Sequence, residues 1–266
     1  MALELIDNFD QIPLAEASVF TENWQKENVI KAFLFHKNDI ECLSQQTDVV
    51  GVRFYIGIVA NENSTDEPDM IVVGVDSKNR DIIYPPEEAS TKTKTEDEVS
   101  GVYDFALPCP KLCDPKSCLF DSINCLSDSI STIASSFTTE TMRTVQHSTE
   151  DECLIELGAI TVEDAIERVS IWQCDMNKEL VSVYFNIEDL DSIFEYFESA
   201  NALRVYFGLE NGVHRVILIG ASNAVEAYYE DVETEYVYVN TVAPCTGNGE
   251  LSCAVNRTLY RSCSQS

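Results

Sequence analysis

The stretch Leu203-Arg204-Val205-Tyr206-Phe207-Gly208-Leu209-Glu210-Asn211-Gly212, running on into Val213 to Ala221, decides the fold. Two β-rich runs flank Asn211-Gly212. That dipeptide is a strong short-range signal for a hairpin, so 203–209 and 213–221 read as antiparallel strands. Arg-x-Tyr-x-Gly also stands in the first half as Arg53-Phe54-Tyr55-Ile56-Gly57, and Ile217-Leu218-Ile219-Gly220 has its counterpart in Ile71-Val72-Val73-Gly74. Outward from these strands the order repeats. Val29 to Phe35 answers Leu180 to Phe185, Asp39-Ile40 answers Asp189-Leu190, Trp24 answers Trp172, and Pro108-Cys109 answers Pro244-Cys245. Landmarks in one order with small drifts in spacing mark an internal duplication.

Each copy opens with a helix. Thr161 with Asp164 three residues on is a variant of the capping box, and Val162, Ala165, Ile166, Val169 and Trp172 form one apolar stripe. In the first copy Pro13 suits a helix start, and Leu14, Ala17, Phe20 and Trp24 give the stripe. A strand, a short helix (Asp39 to Gln46; Ile187 to Ser199), two more strands and a closing extended run complete the unit. Strands in adjacent runs predict an α+β class, two tandem copies of an α-β-α-β-β unit with mainly antiparallel sheets. The expected organisation is a first repeat over 1–125, a linker over 126–150 and a second repeat over 151–266. Twelve of the 24 residues from Ser127 to Glu150 are Ser or Thr, although apolar residues at helical spacing reach Phe137. No Gly-rich phosphate loop follows a strand, which speaks against a doubly wound nucleotide fold.

The 266 residues carry 46 acids and 17 bases, a net charge of −29. Nucleic-acid phosphates require a basic footprint and anionic lipids repel such a chain, so neither is an expected partner. The charge is spread, with 26 acids and 11 bases in the first 150 residues. It suits solubility, a basic protein partner, or mimicry of nucleic acid. Met1 to Phe20 holds Glu4, Asp7, Asp10 and Glu16 and no basic segment, and no apolar run approaches a membrane span. The expectation is a cytoplasmic protein.

The units resemble a family of small uncharacterised proteins common in Bacteroidota. The resemblance rests on the Trp24 helix, on Arg53-Tyr55-Gly57, and on Pro108-Cys109-Pro110-Lys111-Leu112-Cys113, and covers most of the first copy. The second tail departs from it, with Cys245 and Cys253 eight residues apart. The resemblance implies no activity and supplies no catalytic residue.

Candidate chemistry is of two kinds. Arg53 and Arg204, flanked by Tyr55 and Tyr206, are rare bases at matching places and suit capture of a carboxylate or phosphate. The competing reading pairs each with a neighbouring acid on a solvated sheet face. Cys109, Cys113, Cys118 and Cys125 are separated by three, four and six residues, and four thiolates can close a zinc site. None of these gaps is the two-residue spacing of a structural knuckle, so a tail disulfide and plain thiols stand beside zinc. Cys42, Cys153 and Cys174 fall in helical patterns as core residues. No Cys-x-x-Cys, His-Glu-x-x-His or Gly-x-Ser-x-Gly motif is present. No cofactor is expected unless zinc binds. The function expected is that of a non-enzymatic acidic binding protein. The alternatives are a metal- or thiol-dependent protein using the Pro-Cys tails, and an enzyme with a site where the two copies meet.

Overall fold

A computed structural model describes residues 9–60, 67–83, 101–104, 106–109, 117, 119, 158–176, 178–197, 200–222, 225–227, 229–231, 234–240 and 245–246. In chain order the elements are β1 (Phe9–Pro13), α1 (Leu14–Gln25), β2 (Ala32–His36), α2 (Lys37–Ser44), β3 (Gly51–Val59), β4 (Glu67–Val75), β5 (Asp81–Ile82), β6 (Val102–Tyr103) and β7 (Leu107–Cys109). They continue with α3 (Val162–Ser170), a π-helical turn (Ile171–Asp175), β8 (Leu180–Asn186), α4 (Ile187–Tyr196), β9 (Ala202–Glu210), β10 (Val213–Ser222), β11 (Val225–Ala227), β12 (Tyr229–Asp231), β13 (Thr234–Asn240) and β14 (Cys245–Thr246). The class is α+β with antiparallel strand pairs, as the sequence predicts. The helix proposed up to Phe137 and the linker lie outside the described residues.

Local chemistry explains the boundaries. The Thr161 hydroxyl accepts the Asp164 N–H at 3.1 Å and caps α3, an arrangement worth about 1 kcal/mol. Asn211 and Gly212, at φ 51° and 83°, make the two-residue turn between β9 and β10. The two tryptophans are held in the same way, each by a backbone carbonyl at or just before the strand that follows. Trp24 Nε1 donates to the Ile30 carbonyl at 2.6 Å, and Trp172 Nε1 to the Leu180 carbonyl at 2.7 Å.

The strands form two sheets. One runs β1-β13-β10-β9-β2-β7, with β11 beside β10 and β12 beside β13; the other runs β14-β8-β3-β4-β5, with β6 beside β4. The halves are therefore interleaved. The first half's β2 lies against the second half's β9, with Leu34 opposite Arg204 and Ala32 opposite Tyr206. The second half's β8 lies against the first half's β3, with Tyr184 opposite Arg53 and Ser182 opposite Tyr55. Strand β7 places Cys109 opposite Ala32, and β14 places Cys245 opposite Ser182. The facing sides of the sheets meet through aromatic rings, Phe35 on Phe54 at 4.4 Å and Phe9 on Phe185 at 6.0 Å, in a buried cluster drawn from both halves.

The glycine of each Arg-x-Tyr-x-Gly strand lets a helix approach. A Cβ on Gly208 would stand 2.8 Å from Phe20 Cβ and 3.2 Å from its carbonyl carbon in α1; a Cβ on Gly57 would stand 3.1 Å from Arg168 Cβ in α3. A helix backbone cannot swing aside as a side-chain tip can. Gly208→Ala is expected to cost about 1–3 kcal/mol, and Gly57→Ala less, both read from the midpoint of urea unfolding. Equal stability of Gly208→Ala and wild type would show that α1 shifts freely.

Candidate functional site

The period of two puts Arg53, Tyr55 and Gly57 on one face of β3, and Arg204, Tyr206 and Gly208 on one face of β9. Tyr55 is covered there by Ala165 and Val169 of α3, in a cluster with Ile71, Val73, Val102 and Val181. Both arginines are buried, Arg53 at 4% exposure and Arg204 at 0%.

Each arginine is held by an acid of the chain itself. In β5 the Asp81 carboxylate takes Arg53 Nη1 on one oxygen and the Tyr55 hydroxyl on the other, the latter at 2.6 Å. Arg53 Nη2 also donates to the Asn79 side-chain oxygen. In β11 the Glu226 carboxylate lies 3.2 Å from Arg204 Nε and accepts the Tyr206 hydroxyl, which is also 3.3 Å from Ser117 Oγ. Strand register makes the two acids counterparts: Asp81 pairs with Val75 beside Gly74, and Glu226 with Ala221 beside Gly220. Burial, with the adjacent carboxylate, pushes both tyrosine hydroxyls well above their ordinary range, so they stay protonated and donate.

The four residues read as an anion site are thus brought together in two equivalent clamps. The anion in each is internal, and the clamp is buried where the sequence suggested a solvated face. The sequence motif gives the arginine and tyrosine but not the acid, which arrives from a later strand and is one of 46. An acid shortly after each Ile-x-x-Gly strand, Asp81 after Gly74 and Glu226 after Gly220, is the signal that finds it. Chemically, a carboxylate sharing an arginine and a tyrosine hydroxyl fixes β5 and β11 on their sheets and presents no atom to solvent.

Of the three readings of the tail cysteines, Cys109 takes the disulfide. Cys109 is disulfide-bonded, so its sulfur is not a thiolate available to zinc; Cys113, Cys118 and Cys125 lie outside the described residues. Cys42 and Cys174 are also disulfide-bonded, which corrects their reading as plain core thiols; Cys153 lies outside the described residues. Among the described residues no group of His, Cys, Asp and Glu is placed to hold a metal ion. Among them, too, no helix is long and apolar enough to cross a membrane.

A second charged cluster escaped the sequence reading. Arg168 Nη1 on α3 donates to Asp69 Oδ2 on β4 at 2.8 Å and to Asp104 Oδ2 after β6 at 2.6 Å. Burial first, then the neighbouring Asp104 carboxylate, push the Asp69 carboxyl up to about 7, while Arg168 pulls the other way. Beside it a recess of about 240 Å³ opens between Ile58, Val59 and Ala60 at the end of β3 and Asp164, Glu167, Arg168 and Ile171. Asp104 and Asp69 lie 64 and 99 positions from Arg168 in sequence, and no motif announces the three.

No protein-family model, no curated protein and no solved structure matches the chain.

Proposed function

We propose that this chain is a non-enzymatic acidic binding protein, built from one α+β unit written twice, that offers its carboxylates to a basic protein partner. The observation carrying this reading is the state of Arg53 and Arg204. The residues best suited to capture an anionic substrate are buried and neutralised by Asp81 and Glu226, so they serve the fold. The duplication is supported by the matched clamps, the matched tryptophan hydrogen bonds and the equal strand registers of the two halves. An enzyme built on these arginines would need a pocket at a clamp, where each guanidinium is instead buried against its acid.

The disulfides at Cys42, Cys109 and Cys174 favour an oxidising compartment over the cytoplasm expected from the sequence. They also weigh against a thiol-dependent role. Zinc retained by the native protein, found by mass spectrometry before and after denaturation, would revive the tail-metal alternative.

The partner reading is tested by titrating the protein with poly-lysine and with a set of folded basic proteins, at low salt and again at about 0.15 M, where screening reaches within about 8 Å. Saturable binding of a folded basic protein that outlasts binding of poly-lysine supports the proposal. If every polycation binds alike and all binding vanishes with salt, the acidity is a solubility device and the proposal fails.

A further inference from the structure

The two outer helices, α1 and α3, are seated by different chemistry. Against Gly208, α1 places Phe20, an apolar contact. Against Gly57, α3 places Arg168, whose guanidinium reaches Asp69 on β4 and Asp104 after β6. We propose that Asp69, Asp104 and Arg168 form a proton-controlled latch for α3, closed while the two carboxyls share a proton and loosened when that proton leaves.

The geometry carries the argument. One Nη1 serves both carboxylates, so with a single proton the cluster is one carboxylate, one carboxylic acid and one guanidinium, electrically balanced. Without the proton it holds a net negative charge around Asp69, which is only 5% exposed. The charged groups acting on Asp69 are Asp104 and Arg168. Across β3 it faces Gly57, which brings no counter-charge. Glu67 on its own strand, and Asp164 and Glu167 on α3, are acids and supply no counter-charge. Burying an unbalanced charge is costly, and the cheapest relief is for α3 to lift and let water in.

The helix has room and a weak end. The recess between β3 and α3 leaves that junction incompletely filled. The π-helical turn that follows α3 holds Gln173 at 5% exposure, with neither polar atom of its amide hydrogen-bonded. A π turn with an unsatisfied buried amide loses little on rearrangement. Lifting α3 would uncover Tyr55, Ile71, Val73 and Val181.

The proton's direction of action follows by linkage. The Asp69 carboxyl titrates at about 7 in the folded protein, against an ordinary 3.8. Its contribution to closure is therefore fully present below about pH 4 and is lost as pH rises through about 7. Hydrogen exchange of the intact protein, followed by mass spectrometry between pH 5.5 and 8.5 and corrected for intrinsic rates, tests this, with α1 as the internal reference. Exchange over 162–170 relative to 14–25 is expected to rise on the order of tenfold or more between pH 5.5 and about 7, and to level off above that, where Asp69 is deprotonated whether α3 is closed or lifted. Asp69→Asn should abolish the rise. Asp104→Asn, which removes the like charge, should move its midpoint to lower pH. A ratio that does not change with pH, a rise that persists in Asp69→Asn, or an unmoved midpoint in Asp104→Asn would each overturn the latch.

Discussion

Arg204→Met is expected to lower the unfolding free energy by about 3–5 kcal/mol, and adding Glu226→Leu to recover most of the loss. The reason is burial. Neither side chain of the pair has solvent access. Taking Arg204 away leaves the Glu226 carboxylate in an apolar interior with the Tyr206 hydroxyl still donating to it, and one hydrogen bond does not balance a full charge. The carboxylate must then take up a proton or pull β11 away from β10. The double variant removes both charges and leaves Tyr206 its contact with Ser117. Replacing a buried pair by apolar groups of similar volume is often neutral or better, so the pair specifies the position of β11 more than it adds stability. Urea unfolding of wild type, both single variants and the double variant gives the coupling energy directly. Costs that simply add would show that the two residues do not interact, and the clamp account would be lost. The same cycle at Arg53 and Asp81 should behave alike, with a smaller coupling because Asn79 also accepts from Arg53.

The clamps also show what the sequence can disclose. Alternation and the Asn211-Gly212 turn establish the strands, the Thr161 cap and the Trp stripes establish the helices, and the repeat of Arg-x-Tyr-x-Gly marks Arg53, Tyr55, Arg204 and Tyr206 as special. All of this is local, and local chemistry decides it. The acids that complete the clamps come from strands that pair only in the folded state, 26 and 20 residues beyond the tyrosines. Asp69, Asp104 and Arg168 come together from three elements in two halves, and nothing in their neighbourhoods distinguishes them from other charges. Interleaving of the sheets was equally hidden. The alternation of β2 satisfies an edge of β3 or of β9 equally well, because matching strands of the two halves carry matching patterns. Which edge is taken is settled by the whole chain's closure around Phe35, Phe54 and Phe185.

That interleaving makes a second strong expectation: a chain cut once between residues 126 and 150 should remain a single particle. Separating 1–125 from 151–266 requires breaking the β2–β9 junction in one sheet and the β3–β8 junction in the other, five residue pairs each, and the β1–β13 ladder of five more. It also parts Phe54 and Phe9 from Phe185, whose ring each of them packs against. Neither half keeps a closed core once these are lost, so dissociation and unfolding should be one event. A specific protease site placed in that span, cut to completion under reducing conditions so that no disulfide can hold the pieces, tests this in the otherwise intact protein. Size exclusion should show one species near the parent mass of 29.8 kDa. Unfolding should stay a single transition whose midpoint now depends on protein concentration, because the unfolded state has become two chains. Refolding should change from first order to second order. Two separate peaks in native buffer, each keeping its circular dichroism, would mean that the halves fold alone and that the shared sheets do not hold them together.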